Sequence, residues 1–117
     1  MSPPSIEQAL HASIDEEIMH CGENHIAVAL RLNDLAKYLA SQKRFSDAEP
    51  VMEQAVFVVA FNTLKAGLAK PSEDAAPIID GYEILLKVLG VDREQRLARL
   101  QAAMDRANAE VETTRNV

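Results

Sequence analysis

An all-α chain of about five helices is predicted by three observations on the sequence. Helix-start signals recur along it, each ahead of a stretch whose apolar residues return every three or four positions. The composition is 48% hydrophobic yet only 4% aromatic, with no tryptophan, which favours aliphatic helix packing over a sheet. The 117 residues are enough for one hydrophobic core and too few for two, so a single domain is expected.

The first helix is expected over residues 5 to 21, opened by a capping box in which Ser5 accepts from the free backbone N–H of Gln8 and Gln8 reaches back. Gly22 suits its end and Asn24 can cap the second helix, 25 to 41. Val28, Leu32, Leu35, Ala36 and Leu39 form one stripe along that helix. Ser46 and Glu49 repeat the capping box, with Phe45 and Pro50 placed as a hydrophobic staple, and open a third helix over 46 to 68. Its stripe is Ala48, Met52, Ala55, Val56 and Val59. A connection of a few residues makes the second and third helices an antiparallel hairpin.

AVFVVAF, residues 55 to 61, is built of strand-favouring residues. It is read as helix because it continues a capped periodic stretch and no second strand-like segment exists to pair with it. Being apolar on every side, it needs cover from the next helix or from another subunit. LAKPSEDAAP, 68 to 77, breaks the chain, and Pro77 fits only the first turn of a fourth helix, 75 to 89. Gly90 ends that helix and Asp92 with Gln95 starts the fifth, 92 to 113. Leu97, Leu100, Met104, Ala107 and Val111 make a narrow seam expected to lie on the preceding pair, and the terminal TTRNV is expected to fray.

The stretch ALRLNDLAKYLASQKRFSDAEPVMEQAV, 29 to 56, resembles the tetratricopeptide repeat (TPR), particularly the kinesin light chain type. Leu32, Leu35, Ala36 and Leu39 stand where the first helix of such a repeat keeps large, large, small and large residues. Phe45, Ala48, Met52 and Ala55 stand where the second keeps aromatic, small, large and small ones. Small residues let two helix backbones approach while larger ones fill the space beside them. The match covers one repeat. Tyr82, Leu85, Leu86 and Leu89, followed by Ala98 and Ala102, follow the template more loosely, with Leu86 in place of a small residue, and 5 to 21 resemble a second helix without its first. The resemblance implies antiparallel hairpins stacked as a short right-handed superhelix, with degenerate outer units at 5–21 and 75–113.

A net charge of −6, a pI near 5.0 and scattered basic residues argue against nucleic acid or an anionic membrane as partner. No apolar run approaches the ~20 residues of a membrane span, and MSPPSIEQAL lacks a signal-peptide pattern. A lone cysteine cannot close an internal disulfide, and together these predict a cytoplasmic protein. HCGENH, 20 to 25, is the most site-like stretch. His20 and Cys21 are adjacent on a helix and diverge, His25 lies beyond the Gly22 turn, and no second ligand pair completes a site with them or with His11. In kinesin light chain-like repeats a glycine, an acidic or amide residue and a histidine link successive units, and GENH fits that form. No metal and no cofactor are expected.

No nucleophile elbow, phosphate loop or paired catalytic carboxylates occur, so a non-catalytic role is expected. In stacks of the resembled kind the first helices line a concave groove where asparagines and charged residues hold a peptide. Leu30, Asn33, Lys37 and Ser41 match that surface, with Asp80, Glu83 and Lys87 from the next unit. Asp34 and Glu83 count against a terminal carboxylate and leave basic or mixed-charge peptides open. The expected function is binding of a protein or peptide partner through this groove. The alternative is a structural protein that closes a homodimer through 55–64 or the 97–111 seam.

Overall fold

The computed structural model describes residues 5–115, and among these it contains five helices and no strand. They are α1 (Ile6–Cys21), α2 (Ile26–Ser41), α3 (Phe45–Lys65), α4 (Ala76–Val88) and α5 (Arg93–Arg115). The first four residues of MSPPSIEQAL and the last two of TTRNV lie outside the described residues. Among the described residues no helix is long and apolar enough to cross a membrane.

Local chemistry explains most helix ends. The Ser5–Gln8 capping box forms in both directions. Gly22, at φ 87°, ends α1 with its N–H on the Ile18 carbonyl. Three later ends share one device, in which a left-handed residue donates to the carbonyl three back and its successor to the carbonyl five back. Gly67 and Leu68 close α3 in this way, Gly90 and Val91 close α4, and Lys43 with Arg44 closes α2. Lys43 is the one non-glycine described with positive φ, at 60°.

That closure also moves the start of α3. Arg44, not Ser46, is the N-cap; it makes no side-chain cap, and the expected Ser46–Glu49 box does not form. Pro50 therefore stands inside α3 rather than beside its cap, where it cannot donate to the Ser46 carbonyl. Ser46 and Pro50 are both exposed, so water can take that acceptor.

α3 is the axis of the molecule. α2 packs along it most extensively, α5 and α4 also lie on it, and α1 packs on α2. All seven residues of AVFVVAF are buried, so the chain itself supplies the cover this stretch requires. Part of that cover is cationic: the Arg106 guanidinium lies 4.8 Å from the Phe57 ring centroid and the Lys65 ammonium 5.6 Å from that of Phe61. The shortest dimension is 23 Å, two helix diameters.

α5 departs from the pairing the repeat template implies. It runs parallel to α3, as Arg99 pairs with Glu49 and, further along both helices, Arg106 with Glu53. It barely touches α4, its neighbour in sequence. Its buried stripe is Ala103, Ala107 and Val111; Ala98 and Ala102, the small residues of the template, are exposed. Of the expected seam, Ala107 and Val111 are buried and Leu100 is half-buried, while Leu97 and Met104 stay exposed.

Candidate binding groove

Both α2 and α4 rest on α3, but they touch each other only sparingly, which leaves a trough with α3 as its floor. Its position follows from where each helix spends its apolar residues. α2 gives Leu32, Leu35, Ala36 and Leu39 to the core, which turns Leu30, Asn33 and Lys37 to the trough side. α4 buries Ile78, Tyr82, Leu85 and Leu86, and the face next to these carries Pro77 and Gly81. Burial lifts the Tyr82 phenol above its ordinary pKa, and the nearby Glu53 charge adds to this, so the ring is held neutral inside the fold.

In the trough lies a cavity of about 130 Å³. Ala36 of α2, Met52 of α3 and Pro77, Gly81 and Leu85 of α4 form its apolar walls, and Asn33 and Lys37 its polar rim. Ile84 and Val88, 60% and 55% exposed, share the Pro77–Gly81 arc by helical spacing, and Leu30 is 40% exposed one turn from Asn33. Large aliphatic side chains therefore flank the opening on both helices. Neither Asn33 nor Lys37 enters a hydrogen bond or ion pair among the described residues. Asp34 is engaged by Arg31 at 3.8 Å, and Arg31 also reaches Glu17 on α1 at 3.4 Å.

Of the residues expected from the sequence, Asn33 and Lys37 meet at the cavity and Leu30 lies on the same face. Ser41 turns its hydroxyl back to the Tyr38 carbonyl, at 2.6 Å. Asp80 and Lys87 are exposed on α4 but do not line the cavity, and Glu83 is half-buried on the far side from Gly81. Pro77, Gly81 and Leu85 take the places assigned to Asp80, Glu83 and Lys87. One signal pointed to them: a glycine inside a helical stretch marks a close backbone approach. A Cβ at position 81 would meet the Met52 methyl at 3.0 Å.

HCGENH forms the junction between α1 and α2. His25, not Asn24, is the N-cap of α2, its Nδ1 accepting from the Ala27 N–H at 3.1 Å. The Asn24 carbonyl accepts from the Asn62 amide of α3 at 2.7 Å, which ties the junction to the central helix. Cys21 is exposed, with its sulfur 3.8 Å from Glu17. An open cavity of about 360 Å³ lies between this junction and Phe61, Asn62 and Lys65. Among the described residues no three histidine, cysteine or acidic side chains are grouped to hold a metal.

No family model, curated protein or solved structure matches the chain.

Proposed function

We propose that this chain is a small TPR-like helical module that binds a peptide or protein partner in the trough between α2 and α4, without catalysis and in the cytoplasm. The observation that carries the reading is the Asn33–Lys37 rim over an apolar cavity, with both polar side chains unengaged among the described residues. An asparagine amide both donates and accepts, which suits an extended backbone, and the exposed aliphatic residues beside it offer apolar contact. The antiparallel α2–α3 hairpin and the parallel course of α5 along α3 are compatible with a stacked repeat. The exposed lone cysteine fits a reducing compartment.

The test is selection of binders from a displayed random-peptide library on the immobilised full chain, followed by titration against Asn33→Ala/Lys37→Ala. Selected peptides should lose most of their affinity for the double variant. Equal binding to both proteins would sink the proposed site.

A second reading, self-association as a homodimer, is favoured by Leu97, 54% exposed on α5, with exposed Met104 two turns on. Of residues 55–64, 55–61 are buried and 62–64 half-buried within one chain, so the α5 surface is the more open of the two faces this reading can use. Sedimentation across a concentration series separates the two: a monomer at the highest concentration removes the dimer.

A further inference from the structure

We infer that the cavity lined by Ala36, Met52, Gly81 and Leu85 is an anchor site for one branched aliphatic side chain of the partner, and that Lys37 selects a peptide with an acidic residue next to it. This rests on the partner-binding reading above and specifies its ligand. A volume of about 130 Å³ is close to that of apolar cavities that take up a benzene-sized group, so it admits one leucine-, isoleucine- or valine-sized side chain. The walls are apolar on three helices, so such a group meets no unpaired polar atom except at the rim.

Gly81 supplies the second observation. It sits inside α4 without the positive φ that would require glycine, and a glycine there costs the helix stability relative to alanine. Its lack of a side chain lets the Met52 methyl, one wall of the cavity, pack against α4, where a Cβ would meet it at 3.0 Å and press it toward the cavity.

Charge complementarity fixes the neighbour. Among the described residues Lys37 is the only charged one lining the cavity. α2 and α4 both run antiparallel to α3 and hence parallel to each other, which puts Lys37 and Lys87 toward the same end of the trough and Asp80 toward the other. Asp34, counted against a carboxylate from the sequence, is engaged by Arg31, and Glu83 faces away. An acidic side chain beside the anchored residue therefore finds Lys37 free to answer it.

The test uses the full chain labelled with ¹³C at its methionine methyls, with N-acetyl-Gly-Leu-Asp-Gly amide and N-acetyl-Gly-Leu-Lys-Gly amide as probes. The Met52 methyl should shift saturably with the acidic peptide, while Met19, exposed on α1, stays put. The acidic peptide should bind about two- to fivefold more tightly than the basic one, as suits a solvent-exposed ion pair. Lys37→Glu, at an exposed position that folding does not need, should invert that preference. Gly81→Ala should weaken both peptides. An unmoved Met52 resonance, equal binding of the two peptides, or a preference unchanged in Lys37→Glu would each overturn the inference. If library selection yields groove binders without an aliphatic–acidic pair, the anchor assignment falls while partner binding stands; if no binder depends on Asn33 and Lys37, the underlying reading falls.

Discussion

The α2–α3 and α4–α5 pairs are each joined by three or four residues, and their first helices end in the same left-handed turn, yet only α2 and α3 pack as a hairpin. The difference lies in where small residues fall. α2 buries Ala29 and Ala36, and α3 buries Ala48 and Ala55, so two backbones can come close along a shared seam. α4 has no buried alanine along its helix, and the residues it buries are Ile78, Tyr82, Leu85 and Leu86. α5 carries its buried alanines, Ala103 and Ala107, on the stripe that meets α3. A short loop therefore permits a hairpin without dictating one, and in these two pairs the buried alanines lie on the seams along α3.

The largest expected effect comes from emptying the core of the tight pair. Leu35→Ala removes a side chain that is 1% exposed and should cost about 2–5 kcal/mol in urea unfolding. Leu97→Ala on α5 should stay within about 0.5 kcal/mol, since that side chain is mostly in water. Similar losses from both would mean that Leu97 is covered in solution, as the dimer reading requires.

A sharper version tests the register of α5 against the repeat template. Ala107→Leu should destabilise by about 1–3 kcal/mol through overpacking, whereas Ala102→Leu, at an exposed position, should be nearly silent. The reverse order would restore the α4–α5 hairpin that the resemblance implies. Smaller again is the effect at the α2–α3 turn. Lys43 holds a left-handed conformation that glycine adopts without strain, so Lys43→Gly should raise the unfolding free energy by about 1 kcal/mol. A loss would show that the lysine side chain makes a compensating contact.

The smallest effect concerns α1, whose one buried residue is Ile14. Arg44 bonds Glu7 at 2.6 and 3.3 Å and Asp47 at 2.9 Å, linking α1 to the α2–α3 turn. The hydrogen bond from Arg44 holds the Glu7 carboxyl below its ordinary pKa. A lowered folded-state pKa contributes stability above the unfolded-state value and loses it as pH falls through the folded one. Glu7→Gln should therefore flatten slightly the fall in urea midpoint between neutral pH and pH 3, and leave a marginally lower midpoint at neutral pH. An unchanged acid slope would mean the pair does not persist in solution.

How much could be read from the sequence follows the same division. Helix class, the number of helices and the α2–α3 seam were legible because the stripes of Leu32–Leu39 and Ala48–Val59 are local and unbroken. Two capping assignments missed for reasons outside their own residues. The turn at Lys43 starts α3 before Ser46, and α2 starts one residue later than expected, with the His25 ring as its cap while the Asn24 main-chain carbonyl accepts from Asn62. Asn33 and Lys37, from the stretch 29–56 on which the resemblance rests, line the cavity, whereas the residues expected on α4 do not. Burying both Tyr82 and Leu86 orients α4 so that Pro77, Gly81 and Leu85, rather than Asp80, Glu83 and Lys87, line the cavity. The docking of α5 joins residues about 50 positions apart, a distance over which no local pattern speaks.

That separation also bears on the order of events when the chain folds. The α2–α3 hairpin closes a short loop, at little entropic cost, and forms the surface on which everything else assembles. α5 gains its partner only after some 50 intervening residues are arranged. Ala48→Gly and Leu35→Ala should therefore slow folding, while Val111→Ala should chiefly hasten unfolding, a split that stopped-flow chevrons would resolve. With that outcome the central helix would be both the axis of the finished molecule and half of its nucleus, and the last helix a late clasp whose release sets how long the folded state survives.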